Sequence, residues 1–201
     1  MNDQCLQGAR PGPLVTAARK DLPAQRRTLI GAAMVGVLLP AVSPLLAQPQ
    51  GVEPRLAPDF ELPVWDLSRN AIHPSARFAL SGQRGRWTYL DFWASWCGPC
   101  RQSFPWMNRL STRLGSGNLD VVAVGLDTQP EPMARFISLT QPRFAVLWDA
   151  TQFTAPLYAL KTIPSSCLID PKGLLVWRHR GFEASEAVAI ERAIQQRMEG
   201  A

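Results

Sequence analysis

The chain has 201 residues, with 46% hydrophobic and 18% charged side chains and a formal net charge of +5. Five Lys/Arg but only two Asp/Glu fall within residues 1–47, so much of the positive excess belongs to the N-terminus, and charge alone does not make the remainder a nucleic-acid binder. Of the four cysteines, Cys5 falls in that N-terminus, and the close pair and one odd cysteine that remain do not make a disulfide scaffold.

Arg26-Arg27 precedes an uncharged apolar run, Leu29 to Leu39, followed by Pro40, Pro44 and Ala47-Gln48. This is the layout of a secretory signal over residues 1–47: basic region, apolar region, small residue at the cut. The twin arginine resembles a Tat-type signal, though Gln25 and Gly31 are not its preferred flanks, so both Tat and Sec routes stay open. Leu45 is bulky for the third position before a cut, and Leu29 to Ala47 is long enough to span a bilayer. The alternative is therefore an uncleaved N-terminal anchor; the short apolar core and two prolines favour cleavage. Residues 48–58, rich in Pro and Gln, suggest a linker, and residues 59–201 a single domain large enough for its own core.

Within that domain Phe60 to Trp65 predicts a strand, and Ile72-His73 a second one limited by Pro74. Ser81 to Gly85 predicts a turn. Trp87 to Trp93 predicts a buried strand. Phe104, Met107, Leu110 and Leu114 then mark one face of a helix over Arg101 to Leu114, with Pro105 inside it and Gly115 to Gly117 at its end. Val121 to Leu126 has the unbroken apolar character of a strand covered on both faces. A helix over Glu131 to Leu139, a short strand Phe144 to Leu147 and a helix over Thr151 to Leu160 follow. Ser166 to Ile169 and Leu174 to Trp177 flank Pro171-Lys172-Gly173 as a hairpin, and Ser185 to Met198 predicts a closing amphipathic helix. Alternating β and α units ending in a hairpin and a helix indicate an α/β domain with a mixed sheet.

The chemistry concentrates in Asp91-Phe-Trp-Ala-Ser-Trp-Cys-Gly-Pro-Cys-Arg101. A thiol where a strand turns into a helix meets free N–H groups and the positive end of the helix dipole, which favour the thiolate. A second thiol one turn along can attack a mixed disulfide and release its partner. Cys97 and Cys100 at this junction point to dithiol–disulfide exchange. A zinc half-site needs two further ligands, and His73, His179 and Cys167 form no ligand-type cluster; no metal and no cofactor is expected. Asp91 interrupts an apolar strand, where a carboxylate is costly unless protonated or paired. Desolvation raises its pKa and suits it to relay a proton.

The segment resembles the active site of thioredoxins. Together with Ala57-Pro-Asp-Phe60, Val121 to Asp127 and Ile163-Pro-Ser-Ser-Cys-Leu-Ile-Asp-Pro-Lys-Gly173, it resembles the TlpA/ResA/DsbE group of exported thiol–disulfide oxidoreductases. The resemblance covers roughly Ala57 to Glu199. It implies a three-layer thioredoxin fold with a central mixed sheet, an N-terminal strand extension and an extra β-α insertion over Asp127 to Leu160. It makes Cys97 the nucleophile, Cys100 the resolving thiol and Asp91 the proton relay, whereas TlpA-like proteins more often carry Asn at that point. Gly98 and Pro99 shape the turn as in reducing thioredoxins, Trp96 offers an apolar platform, and Pro164 matches the cis-proline whose predecessor, Ile163, presents backbone groups to an extended substrate. Pro105 matches the helix-kinking proline. Cys167, where an apolar residue is usual, suggests a buried inert thiol.

The implied function is reduction of disulfides in exported, periplasmic proteins, with a membrane electron donor and with cytochrome c maturation as one setting. Membrane contact is expected only through an uncleaved N-terminus, and no nucleic acid. Three alternatives stand beside it: a disulfide oxidase or isomerase, disfavoured by the Gly-Pro dipeptide; a thiol peroxidase, disfavoured by Leu90 and Ala94 where a Pro-x-x-x-Thr-x-x-Cys motif needs Pro and Thr; and a copper-binding chaperone using Cys97 and Cys100 with His179 or His73.

Overall fold

A computed structural model describes residues 53–200. The expected signal or anchor over residues 1–47 lies outside them, as does the first part of the expected linker. The sheet begins inside that linker: β1 (Arg55–Leu56) pairs antiparallel with Leu174 and Leu175. It is followed by β2 (Glu61–Asp66), β3 (Ala71–Ala79), β4 (Trp87–Trp93), α1 (Gly98–Leu114), β5 (Leu119–Gly125), α2 (Pro130–Thr140), β6 (Ala145–Trp148), α3 (Thr154–Leu157), β7 (Ser165–Ile169), β8 (Leu174–Arg180) and α4 (Ala187–Glu199). The eight strands form one mixed sheet in the order β1-β8-β7-β4-β5-β6-β2-β3. The neighbours β4, β5 and β6 run parallel, and the remaining pairings are antiparallel. This is the α/β, thioredoxin-like fold the sequence implied.

The period-2 alternation of β4 divides the core in two. Trp87, Tyr89 and Trp93 join the cluster with Phe104, Met107 and Leu110 of α1, Met133 and Phe136 of α2, and Ile190 and Ile194 of α4. Leu90 and Phe92 point the other way, among Phe60, Leu62, Leu80, Tyr158 and Cys167. All seven β4 residues are buried. Each large apolar side chain so enclosed contributes roughly 1.5–3 kcal/mol relative to exposure, so β4 is held by packing on both faces as well as by its two neighbours.

Three local expectations change. Strand β3 continues past Pro74 because it is an edge strand, and because its register against β2 shifts between Pro63 and Trp65, leaving residues 73–76 unpaired with β2; a missing N–H costs little there. The helix expected over Thr151 to Leu160 shrinks to four residues. Gln152 and Ala159 both adopt positive φ (58° and 50°), and Asp149 captures the Thr154 backbone N–H at 2.8 Å. The active-site helix starts earlier than its apolar periodicity indicated, at Gly98, with Pro99 in its first turn, where the absent N–H has no partner to lose. Pro105 removes the N–H that would reach the Arg101 carbonyl, yet the helix runs on to Leu114.

Candidate active site

Cys97 is the N-cap of α1 and forms a disulfide with Cys100, their Cα atoms 5.3 Å apart. The Cys100 backbone N–H donates to Cys97 Sγ at 3.3 Å. No acidic residue occurs in the first helical turn, so nothing on α1 opposes the positive end of its dipole. The sulfur that caps the helix is the one whose anion these groups favour. Cys97 is 3% exposed and Cys100 fully buried, while Trp96 beside them is 71% exposed and Gly98 and Pro99 lie at the surface. Only the first cysteine has an edge toward solvent, and the indole stands next to that edge.

Asp91 lies in β4 between Tyr89 and Trp93 and so faces α1. It is 2% exposed, its Oδ2 has no hydrogen-bond partner among the described residues, and desolvation holds its carboxyl well above the usual aspartate value. Its cross-strand neighbour is Ser166 of β7, and the neighbour of Ser166 is His179 of β8. The three form a transverse polar row on the helix-covered face. His179 stacks on Trp177 with centroids 5.6 Å apart, and its Nε2 lies 3.6 Å from Glu186. His73, in contrast, accepts the Ala76 backbone N–H at 2.8 Å within β3.

The Ile163–Pro164 peptide is cis. Pro164 is buried and Ile163 half-buried. The Pro164 carbonyl accepts from Gly181 N–H at 2.8 Å, whereas the Ile163 N–H and carbonyl meet no other backbone group among the described residues. Cys167 sits opposite Leu90, on the sheet face away from α1. It is 1% exposed, and burial pushes its thiol up to about 12. A thiol behind the sheet cannot exchange with the disulfide in front of it.

One contributor to the site is not visible as a motif. Asp127, just beyond β5, accepts from the Ser95 backbone N–H at 2.9 Å and from the Ser95 hydroxyl at 2.6 Å. Its own carbonyl accepts from Trp148 Nε1 at 2.6 Å. This clamp fixes the loop in which the Cys97 N–H bonds the Ala94 carbonyl at 3.0 Å, so the end of β5 and the end of β6 both hold the turn that carries Cys97. A Ser two residues before the first cysteine and an Asp after an apolar strand are the signal, legible only once β4 and β5 are known to be adjacent.

The sequence model of the AhpC/TSA family matches residues 55–178. The chain is 29% identical over 100 residues to the thiol-disulfide oxidoreductase ResA of Bacillus subtilis, covering 50% of this chain but only 56% of that protein. It is 28% identical over 130 residues to ResA of Bacillus thuringiensis, covering 65% of this chain and 70% of the relative. A DsbE-like thiol:disulfide interchange protein from Chlorobium tepidum superposes with a TM-score of 0.66 at 37% identity, over 73% of this chain and 98% of that one.

Proposed function

The chain belongs to the AhpC/TSA family and is a thiol–disulfide oxidoreductase of the ResA/DsbE type; on that premise we propose that it works outside the cytoplasm, reducing disulfides of exported proteins. The observation that carries this reading is the Cys97–Cys100 disulfide capping α1 with the buried carboxyl of Asp91 on the face behind it.

In the reduced protein the Cys97 thiolate attacks one sulfur of a substrate disulfide. A Cys97–substrate disulfide forms, and the substrate's other sulfur leaves as a thiolate that takes up a proton. The raised pKa makes the Asp91 carboxylate, once it has ionised, a base strong enough to accept the proton of the Cys100 thiol. The Cys100 thiolate attacks Cys97 Sγ, the mixed disulfide breaks, and the second substrate sulfur departs, taking the proton that Asp91 had accepted. The substrate has gained two electrons and two protons, and the protein is left with the Cys97–Cys100 bond present in this structure. A separate dithiol donor must reduce it again. Trp96, exposed beside Cys97, and the Ile163 N–H, which meets no backbone acceptor among the described residues, support a reading in which they hold an extended substrate chain across the cysteines.

Reduction direction and partner are tested together. The reduction potential is expected near the thioredoxin value of about −270 mV; a value near about −120 mV, typical of the strong oxidant DsbA, would reverse the direction. Cys100→Ala, expressed in the exporting cell, is expected to accumulate a mixed disulfide through Cys97 that mass spectrometry identifies. Capture of a membrane dithiol protein together with a cytochrome supports a maturation role, whereas a broad set of unrelated exported proteins argues for a general reductase. A peroxidase reading lacks support from the site: Leu90 and Ala94 are both wholly buried apolar residues that offer no hydroxyl beside Cys97.

A further inference from the structure

We propose that the cleft between α1 and α2 is a docking groove for an acidic, extended segment of the protein whose disulfide Cys97 attacks, a proposal that rests on the reductase reading above. The groove consists of two adjoining hollows of about 550 Å³ and about 400 Å³ that share Pro105 and Thr140. The larger begins at Ser95, two residues from Cys97, and the smaller continues along α1 toward its C-terminus.

Its lining carries Arg101, Arg109, Arg113, Arg135 and Arg143 and no Asp or Glu. All five arginines are exposed. Arg113 is paired with Glu191 at 3.0 Å, and the other four form no ion pair among the described residues. Four unpaired guanidinium groups along one concave surface focus positive potential there and offer bidentate sites for carboxylates. Leu139, 83% exposed, stands at the side of the larger hollow, over buried Phe136, and provides an apolar contact between the charges. The walls are fixed in advance: the Asn108 side chain donates to the Gln141 carbonyl at 3.1 Å and accepts from the Arg143 N–H at 2.7 Å, tying α1 to the loop after α2.

Depth and position favour a peptide over other anions. A membrane surface would meet a ridge or a flat face, while these charges line a cleft that begins at Ser95, two residues before Cys97. Helix α2 lies between β5 and β7 within Asp127 to Leu160, the segment that the resemblance marks as an insertion, so that segment supplies one wall of the groove.

The test uses two synthetic peptides with the same internal disulfide, one with an arm rich in Asp and Glu and the other with a Ser/Gln arm, and follows their reduction by the reduced protein. At low ionic strength the acidic-armed peptide is expected to react about tenfold faster, with the advantage collapsing at high salt. In Arg109→Glu/Arg135→Glu the ratio of the two rates should fall to one or below, and in Arg109→Lys/Arg135→Lys it should largely survive. Equal rates in the wild type, or a ratio untouched by charge reversal, overturns the groove. So does binding of anionic phospholipid vesicles through the same arginines with no preference between the peptides. The small neutral disulfide bis(2-hydroxyethyl) disulfide, too short to reach the groove, reads the redox chemistry by itself. If the reduced wild type fails to reduce even this probe, the reductase reading falls, and the docking proposal with it.

Discussion

At the scale of single residues, burial dictates how Asp91 couples pH to folding. The unfolded chain releases its carboxyl proton near the usual value of 3.8, while the folded chain holds it well above that because ionisation there is unsolvated. The stability this group allows is therefore fully present at low pH. It declines as pH rises between the two values, by about 1.4 kcal/mol per pH unit, the slope of one proton. Asp91→Asn should flatten that dependence: urea unfolding at pH 5 and pH 8 should show the variant gaining on the wild type as pH rises. An equal difference at both values would mean the carboxyl is not kept neutral. The same substitution should slow resolution of the mixed disulfide more than its formation. The Ser95–Asp127 clamp makes a second residue-scale prediction. Asp127→Ala leaves a half-buried Ser95 N–H without its acceptor and should cost about 1–3 kcal/mol in urea unfolding, together with slower attack by Cys97.

At the scale of elements, what the sequence revealed depended on how local the determining interaction was. The β4–α1 junction was legible because an apolar run, two cysteines and a helical stripe are all read along one stretch of chain. The course of β3 through Pro74 was not, since edge position and a register shift against β2 are properties of the sheet. The shortening of α3 was hidden for a related reason: Asp149 reaches forward to the Thr154 N–H and hydroxyl, and left-handed Gln152 and Ala159 close the turn on either side. Of the site, Asp91, Cys97, Cys100 and Pro164 could be named in advance, whereas Asp127 required knowing that β5 lies beside β4. The β7–β8 hairpin gives an element-scale prediction. Gly173 has φ +83°, and a Cβ there would fall on the Arg84 guanidinium. Gly173→Ala should cost about 1–2 kcal/mol from the left-handed backbone alone, and further destabilisation should be relieved by adding Arg84→Ala. Additive losses in the double variant would deny the clash.

At the scale of the whole molecule, the disulfide contributes little to global stability. The loop it closes is only four residues long, counting both cysteines, so the chain entropy it removes from the unfolded state amounts to about 2 kcal/mol. Reduction should therefore lower the unfolding free energy by no more than about that amount, as read by urea titration with and without reductant. A much larger loss would show that the fold depends on the bond, which would not suit a protein that cycles through its reduced form at every turnover. Stability resides instead in the two apolar clusters on either side of β4.

The position of Cys167 adds an experimental handle of a different kind. Its sulfur is sealed behind the sheet, beside Leu90 and away from the reactive pair, so an alkylating reagent reaches it only when the central strands part. Mass spectrometry of the peptide carrying Cys167, after timed exposure to such a reagent, then serves as a clock for opening of the sheet. Run on oxidised and reduced protein side by side, the same clock separates breathing of the scaffold from chemistry at the surface, with no cysteine added by mutation.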